Sequence, residues 1–133
     1  MIETAPSPAV AEAVTGYFAM WNEREPGRRR AVIERTWSPR ASYTEPLLAT
    51  QGYDDLDAGI AQMQGQFEGF SLRLVGPIQS HHDRVRWSWE LVGPDGQASL
   101  ARGTNVGTMA PDGRLAEVTG FFDHTDGITH SPV

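Results

Sequence analysis

The sequence predicts an α+β domain in which helices come first and pack against one face of an antiparallel sheet. Three observations carry that reading. Apolar residues recur at helical spacing in three stretches up to Phe67, the period changes to two from Phe70 onward, and Pro/Gly turns divide that second half into strands. Helical patterns followed by a run of strand patterns make a layered domain with the helices segregated to one side. At 133 residues the chain reads as a single domain, 1–133, large enough to bury a core and a pocket.

Residues 1–6 carry no pattern and are expected to form a tail. Ser7-Pro8 reads as an N-cap followed by proline at the first helical position. Val10, Val14, Tyr17 and Trp21 fall on one helix face, with Ala13 and Met20 beside them, and residues 22–27 close this helix. A second helix is expected over about 28–37, with Val32, Ile33 and Trp37 inward and Arg28, Arg29 and Arg35 toward water. Ser38-Pro39 ends it, since a residue before proline avoids helical angles. Arg24, Arg28, Arg29 and Arg30 together read as a solvated basic face.

A short strand over 41–45 stops at Pro46, which has no N–H to give a ladder. Gly52-Tyr53-Asp54-Asp55 is a turn whose acids suit a helix start. Leu56, Ile60, Met63 and Phe67 then recur at i, i+4, i+7, i+11 as a third amphipathic helix. Phe70, Leu72 and Leu74 alternate with polar residues. Val85, Trp87, Trp89 and Leu91 alternate with Arg84, Arg86, Ser88 and Glu90, the cleanest strand signal in the chain. Gly93-Pro94-Asp95-Gly96 and Ala110-Pro111-Asp112-Gly113 read as hairpin turns around a strand over 98–109. A last strand covers 115–123, and 124–133 is expected to be a second tail.

Composition narrows the function. A net charge of −6 disfavours nucleic acid as a partner. The absence of cysteine removes disulfides, thiolate nucleophiles and thiolate metal sites. No stretch approaches the ~18 consecutive apolar residues of a membrane span, and no signal peptide is expected, so the chain is expected to be cytoplasmic and to make no membrane contact. His81-His82-Asp83 invites a metal reading, but adjacent strand residues point to opposite faces, which keeps two imidazoles from sharing one ion, and a turn between two strands is the better reading. Neither a metal nor a cofactor is expected.

The stretch around Glu45 is the first candidate for chemistry. Its carboxylate stands where a strand stops and the chain turns away, and Tyr43, two residues back, projects from the same face. A desolvated carboxylate there could act as a general base; the bland alternative bonds it to backbone or to Arg40. Tyr17 lies on the apolar stripe of the first helix, either as a core aromatic or as a donor to a ligand carbonyl. Asn105 shares a strand face with Ala101, Gly103 and Gly107, whose small size leaves room for an amide to donate. Trp37, Tyr43, Trp87, Trp89 and Phe122 could line an aromatic pocket for a flat apolar ligand.

Several local stretches carry a likeness to known proteins. They are Tyr17 in a first helix ending Met-Trp-Asn, Ala-Ser-Tyr-Thr-Glu-Pro, Gln-Gly-Tyr-Asp-Asp-Leu, and Asp-Gly-Arg-Leu-Ala-Glu-Val-Thr-Gly-Phe-Phe-Asp. Together, over about residues 10–123, they resemble the SnoaL-like branch of the nuclear-transport-factor-2-like superfamily, which includes polyketide cyclases, and also the ketosteroid isomerases. The resemblance implies a cone: three N-terminal helices packed on a curved antiparallel sheet with an internal pocket. It further implies Glu45 as the base, standing before a proline as the isomerases' aspartate does, Tyr17 as the oxyanion phenol, and Phe122 as a wall aromatic. Asn105 falls where the isomerases hold a protonated aspartic acid. The expected function is proton transfer on a hydrophobic ketone. The alternatives are a non-catalytic module binding a small apolar ligand and a dimerisation domain with a collapsed core. A sheet this long needs cover on its outer face, so a homodimer is expected.

Overall fold

In the computed structural model, which describes residues 6–96 and 101–124, three helices and a six-stranded sheet form an α+β layered fold. The elements are α1 (Pro8–Asn22), α2 (Pro26–Thr36), β1 (Trp37–Glu45), β2 (Leu48–Gln51), α3 (Gly52–Gln66), β3 (Ser71–His81), β4 (Arg84–Val92), β5 (Ala101–Met109) and β6 (Leu115–His124). The sheet is curved and unclosed, with strand order β2-β1-β6-β5-β4-β3. Its pairings are antiparallel except β1–β6, where the first and last strands run parallel. That crossover places the end of β1, with Tyr43 and Glu45, beside the middle of β6.

Local chemistry explains the helix boundaries. The Ser7 hydroxyl accepts from the Val10 N–H at 3.2 Å, with Pro8 in the first turn. For α2 the cap is the Glu25 carboxylate, accepting from the Arg28 N–H at 2.6 Å. The helix therefore starts at Pro26, earlier than the sequence suggests. It also stops earlier: Trp37 is already extended and opens β1, so Ser38-Pro39 lies inside a strand. β2, absent from the sequence pattern, pairs with β1 through the tight return after Pro46. The part of the expected fifth strand over 98–100 and the two tails lie outside the described residues, apart from Pro6 and the backbone of His124.

The core lies between the helices and the inner face of the sheet. Tyr17, Met20, Ile33, Trp37, Ile60, Trp87, Leu115, Val14 and Val118 are its largest closed-off apolar side chains. The Trp37 indole N–H donates to the Met20 Sδ at 3.1 Å.

The arginines around α2 do not form a uniform solvated face. Arg29 is buried, donating to Asp57 at 2.7 Å and to the Gln64 Oε1 at 3.0 Å. Arg24 reaches the carbonyls of Gln64, Phe67 and Phe70 at 3.2, 3.1 and 2.9 Å, so it straps the end of α3 to the end of α1. Charge runs on a sequence do not reveal such partners, because those partners sit 28 to 46 residues away.

Candidate functional site

Beyond the closed core, toward the end of α1, the same interior opens into a cavity that reaches the surface. Its walls come from every layer: Tyr17 and Trp21 of α1, Tyr43 and Glu45 of β1, Met63 of α3, Phe67 and Phe70 of the following loop, Leu72 of β3, Trp89 of β4 and Phe122 of β6. Most of these groups are apolar. Tyr17, Tyr43 and Glu45 meet on one side, where β1 ends, while Asn22, Arg24, Gln64 and Ser71 also border the cavity, from the ends of α1 and α3 and the start of β3.

Tyr43 and Glu45 share a strand face, and β1 carries both toward α1. There the Tyr17 and Tyr43 hydroxyls meet at 3.0 Å. Burial pushes Tyr17 up to about 12, a rise that the neighbouring Tyr43, Asn105 and Trp21 ease and the Glu45 charge adds to. Burial pushes Tyr43 up too, and the Tyr17 and Glu45 charges add to it. Both phenols therefore stay protonated at neutral pH and act as donors. Glu45 accepts one backbone hydrogen bond, from Leu47 N–H at 3.0 Å. Loss of solvent raises its carboxyl to about 7, against the modest lowering effect of that bond. Of the two bland alternatives, the bond to backbone forms, at Leu47, and among the described residues no ion pair joins Glu45 to Arg40.

The structure divides the expected site residues into three groups. Glu45, Tyr17, Tyr43, Trp89 and Phe122 border the cavity together, with the Trp89 and Phe122 rings edge-to-face at 5.5 Å. Trp37 and Trp87 do not border it; they lie in the core, where Trp87 packs on Tyr17 at 5.0 Å between centroids. Asn105 does not border it either. It is fully buried behind the phenols, its Oδ1 accepting from the Trp89 indole N–H at 3.2 Å. Sequence reasoning passed over Trp21, Met63, Phe67 and Phe70 as wall residues. Trp21 was within reach, because four residues after Tyr17 it shares the same helix face.

His82 and Asp83 form the expected turn between β3 and β4, so the strand rule does not govern the two histidines. His82 adopts a positive φ of 53° in the hairpin turn, which brings the two Nδ1 atoms to 3.0 Å. The imidazoles converge instead of diverging. Among the described residues there is no group of three or more metal-ligating side chains, and no helix is long and apolar enough to cross a membrane.

The helix-lined curved sheet with a cavity at one end defines a nuclear-transport-factor-2-like fold. A crystal structure from Agrobacterium tumefaciens, described as a candidate isomerase of the SnoaL-like family, matches with a TM-score of 0.83 and 32% identity, over 88% of this chain and 99% of that one. At that level of likeness the chain belongs to the SnoaL-like family. Two more distant structures share the fold. One is a candidate SnoaL-like polyketide cyclase from a Jannaschia species (TM-score 0.67, 20% identity, 90% and 91% of the two chains). The other is a nuclear-transport-factor-2-like protein of unknown function from Cytophaga hutchinsonii (0.63, 10%, 92% and 95%). No family model matches the chain, and no curated protein does.

Proposed function

We propose that the cavity binds a small hydrophobic ketone and that Glu45 moves a proton beside its carbonyl while the Tyr17–Tyr43 pair holds the oxygen. The observation that carries the reading is the meeting, in one largely apolar cavity, of a carboxyl raised to about 7 and two neutral phenols. A base with that affinity takes a proton at neutral pH and readily returns it. In the isomerisation, the carboxylate removes a proton from the carbon beside the ketone. The C–H electron pair forms an enolate whose oxygen accepts from a phenol. The carboxylic acid then delivers the proton to the γ-carbon, moving the double bond into conjugation. No electrons leave the substrate. The family relative from Agrobacterium described as a candidate isomerase supports this choice of reaction class.

The test follows a β,γ-unsaturated 3-ketosteroid by the absorbance of its conjugated product, with wild type beside Glu45→Gln. Turnover in wild type, lowered by at least a hundredfold in the variant, is expected for loss of a general base. Saturable steroid binding without turnover in either protein would replace the enzyme with a binding module.

The homodimer belongs to the same proposal. Phe121 (56% exposed) and Val106 (41%) stand on the sheet face away from the helices, beside Thr104 and Thr119 across the β5–β6 ladder. An apolar pair on an open sheet face suits a second copy of the chain. Sedimentation at micromolar concentration should report a dimer, and Phe121→Ser should shift it toward monomer. A monomeric wild type would remove the dimer from the proposal.

A further inference from the structure

One carboxyl and one guanidinium border the cavity, Glu45 and Arg24, and the ketone reading gives a task to Glu45 alone. Glu45 stands at the end of β1. Arg24, just past α1, reaches the end of α3 and the loop that follows. Its Nη1 donates to the Gln64 carbonyl at 3.2 Å, and its Nη2 to those of Phe67 and Phe70 at 3.1 and 2.9 Å. Among the described residues Arg24 pairs with no carboxylate, Glu45 included. A guanidinium within about 4–6 Å would hold a carboxyl down. The Glu45 carboxyl is instead raised, with one backbone bond set against its burial. The two groups therefore stand apart in a cavity whose other walls are largely apolar.

The plain structural account makes Arg24 a strap across the end of α3. That strap leaves charge over. Carbonyl oxygens carry no formal charge, and a helix C-terminus supplies about half a negative unit. A guanidinium has five N–H donors, and among the described residues the Nε–H of Arg24 has no acceptor. The acid next to it, Glu23, is turned toward Arg28 at 3.4 Å. The neighbouring amides are already in use. Asn22 exchanges two bonds with the Leu72 backbone, both at 2.8 Å, and Gln64 is held by Arg29 and by the Trp21 and Glu23 carbonyls. The unused bonding capacity on this part of the wall therefore lies with the Arg24 guanidinium and the Ser71 hydroxyl. Three carbonyls already hold the guanidinium in place, so it needs little further ordering to meet an anion.

We infer that the ligand of this cavity is a hydrophobic keto acid, whose ketone lies beside Glu45 and the tyrosine pair and whose carboxylate, at the other end, pairs with Arg24. One guanidinium with part of its donor set already used suits a single negative charge better than a phosphate dianion. A chain of net charge −6 repels anions at long range, so a preference for a charged ligand has to come from a local cation. This inference rests on the ketone reading of the cavity and deepens it by naming the substrate class.

Fluorescence titrations with 6-acetyl-2-naphthoate, its methyl ester and naphthalene test it without any need for turnover. Acid and ester share the ketone and the rings and differ in charge, while naphthalene gauges the apolar walls. Wild type should bind the acid about fivefold more tightly than the ester at low salt, the strength of a partly solvated ion pair. That preference should shrink between about 20 mM and about 500 mM salt. Arg24→Gln should abolish it and Arg24→Lys should keep most of it, with naphthalene affinity within about twofold in all three proteins. A strap and nothing more predicts otherwise: both variants would weaken all three probes together, since an ammonium does not reproduce the guanidinium fork. If Arg24→Gln fails to fold, the salt dependence of wild type decides. Binding of the ester as tight as that of the acid, or a preference for the acid that neither salt nor Arg24→Gln lowers, would overturn this inference and leave the ketone reading standing. Failure of wild type to bind both acid and ester would overturn the two together.

Discussion

Trp87 and Trp89 stand two residues apart on one strand face, and they lead different lives. Trp87 is closed into the core: Tyr17 packs on its ring and its indole nitrogen has no bonding partner. Trp89 borders the cavity, meets Phe122 edge-on and donates its N–H to Asn105. Alternation along β4 specifies that both face inward. It says nothing of what they face. The helix layer decides that, and the boundary between core and cavity runs between these two rings at the level of the tyrosine pair.

Truncation should separate the two positions, and the largest effect is expected in the core. Trp87→Ala should destabilise the fold by about 3–5 kcal/mol, the range for a large aromatic removed from a packed interior. Trp89→Ala enlarges a space that already exists, so it should be destabilising by less while weakening naphthalene binding more. Urea denaturation of both variants, read beside a binding titration, gives the two orderings. Equal destabilisation with equal loss of binding would erase the distinction between core and wall.

The same boundary marks how far the sequence could be read. Patterns that repeat locally were legible: the apolar faces of α1 and α3, the alternation of β4, the Pro/Gly turns, and the shared face of Tyr43 and Glu45. Features set by partners distant in the chain were not. Arg29 looks solvated until Asp57 and Gln64 arrive from α3, and Trp37 looks like a helix end until the parallel pairing with β6 draws it into β1. Asn105 looks like a ligand donor because its strand neighbours are small. The bond from Trp89 and the approach allowed by Gly120 set it one layer back. The turn at His82-Asp83 was legible; the positive φ of His82, which turns its ring toward His81, was not.

Glu45 sharpens the comparison from the side of charge, since the closed core around Trp87 contains no group that titrates near neutrality. Its folded-state carboxyl lies at about 7, above the ordinary 4.5, because burial favours the neutral form. Between those values the folded protein binds a proton that the unfolded chain does not. Glu45 therefore stabilises the fold relative to an ionised state below about pH 4.5, and that contribution is lost as pH rises toward 7. The group is partly solvated, so the swing is no more than about 3 kcal/mol. Activity should run the other way: kcat/KM rises through about pH 7 as the base ionises, while stability falls over the preceding units. Urea midpoints for wild type and Glu45→Gln at pH 5 and pH 8 check the sign. Wild type should lose more stability than the variant over that interval. A parallel response in the two proteins would mean that the carboxyl titrates as an ordinary surface acid, and the proposed base would lose its physical basis.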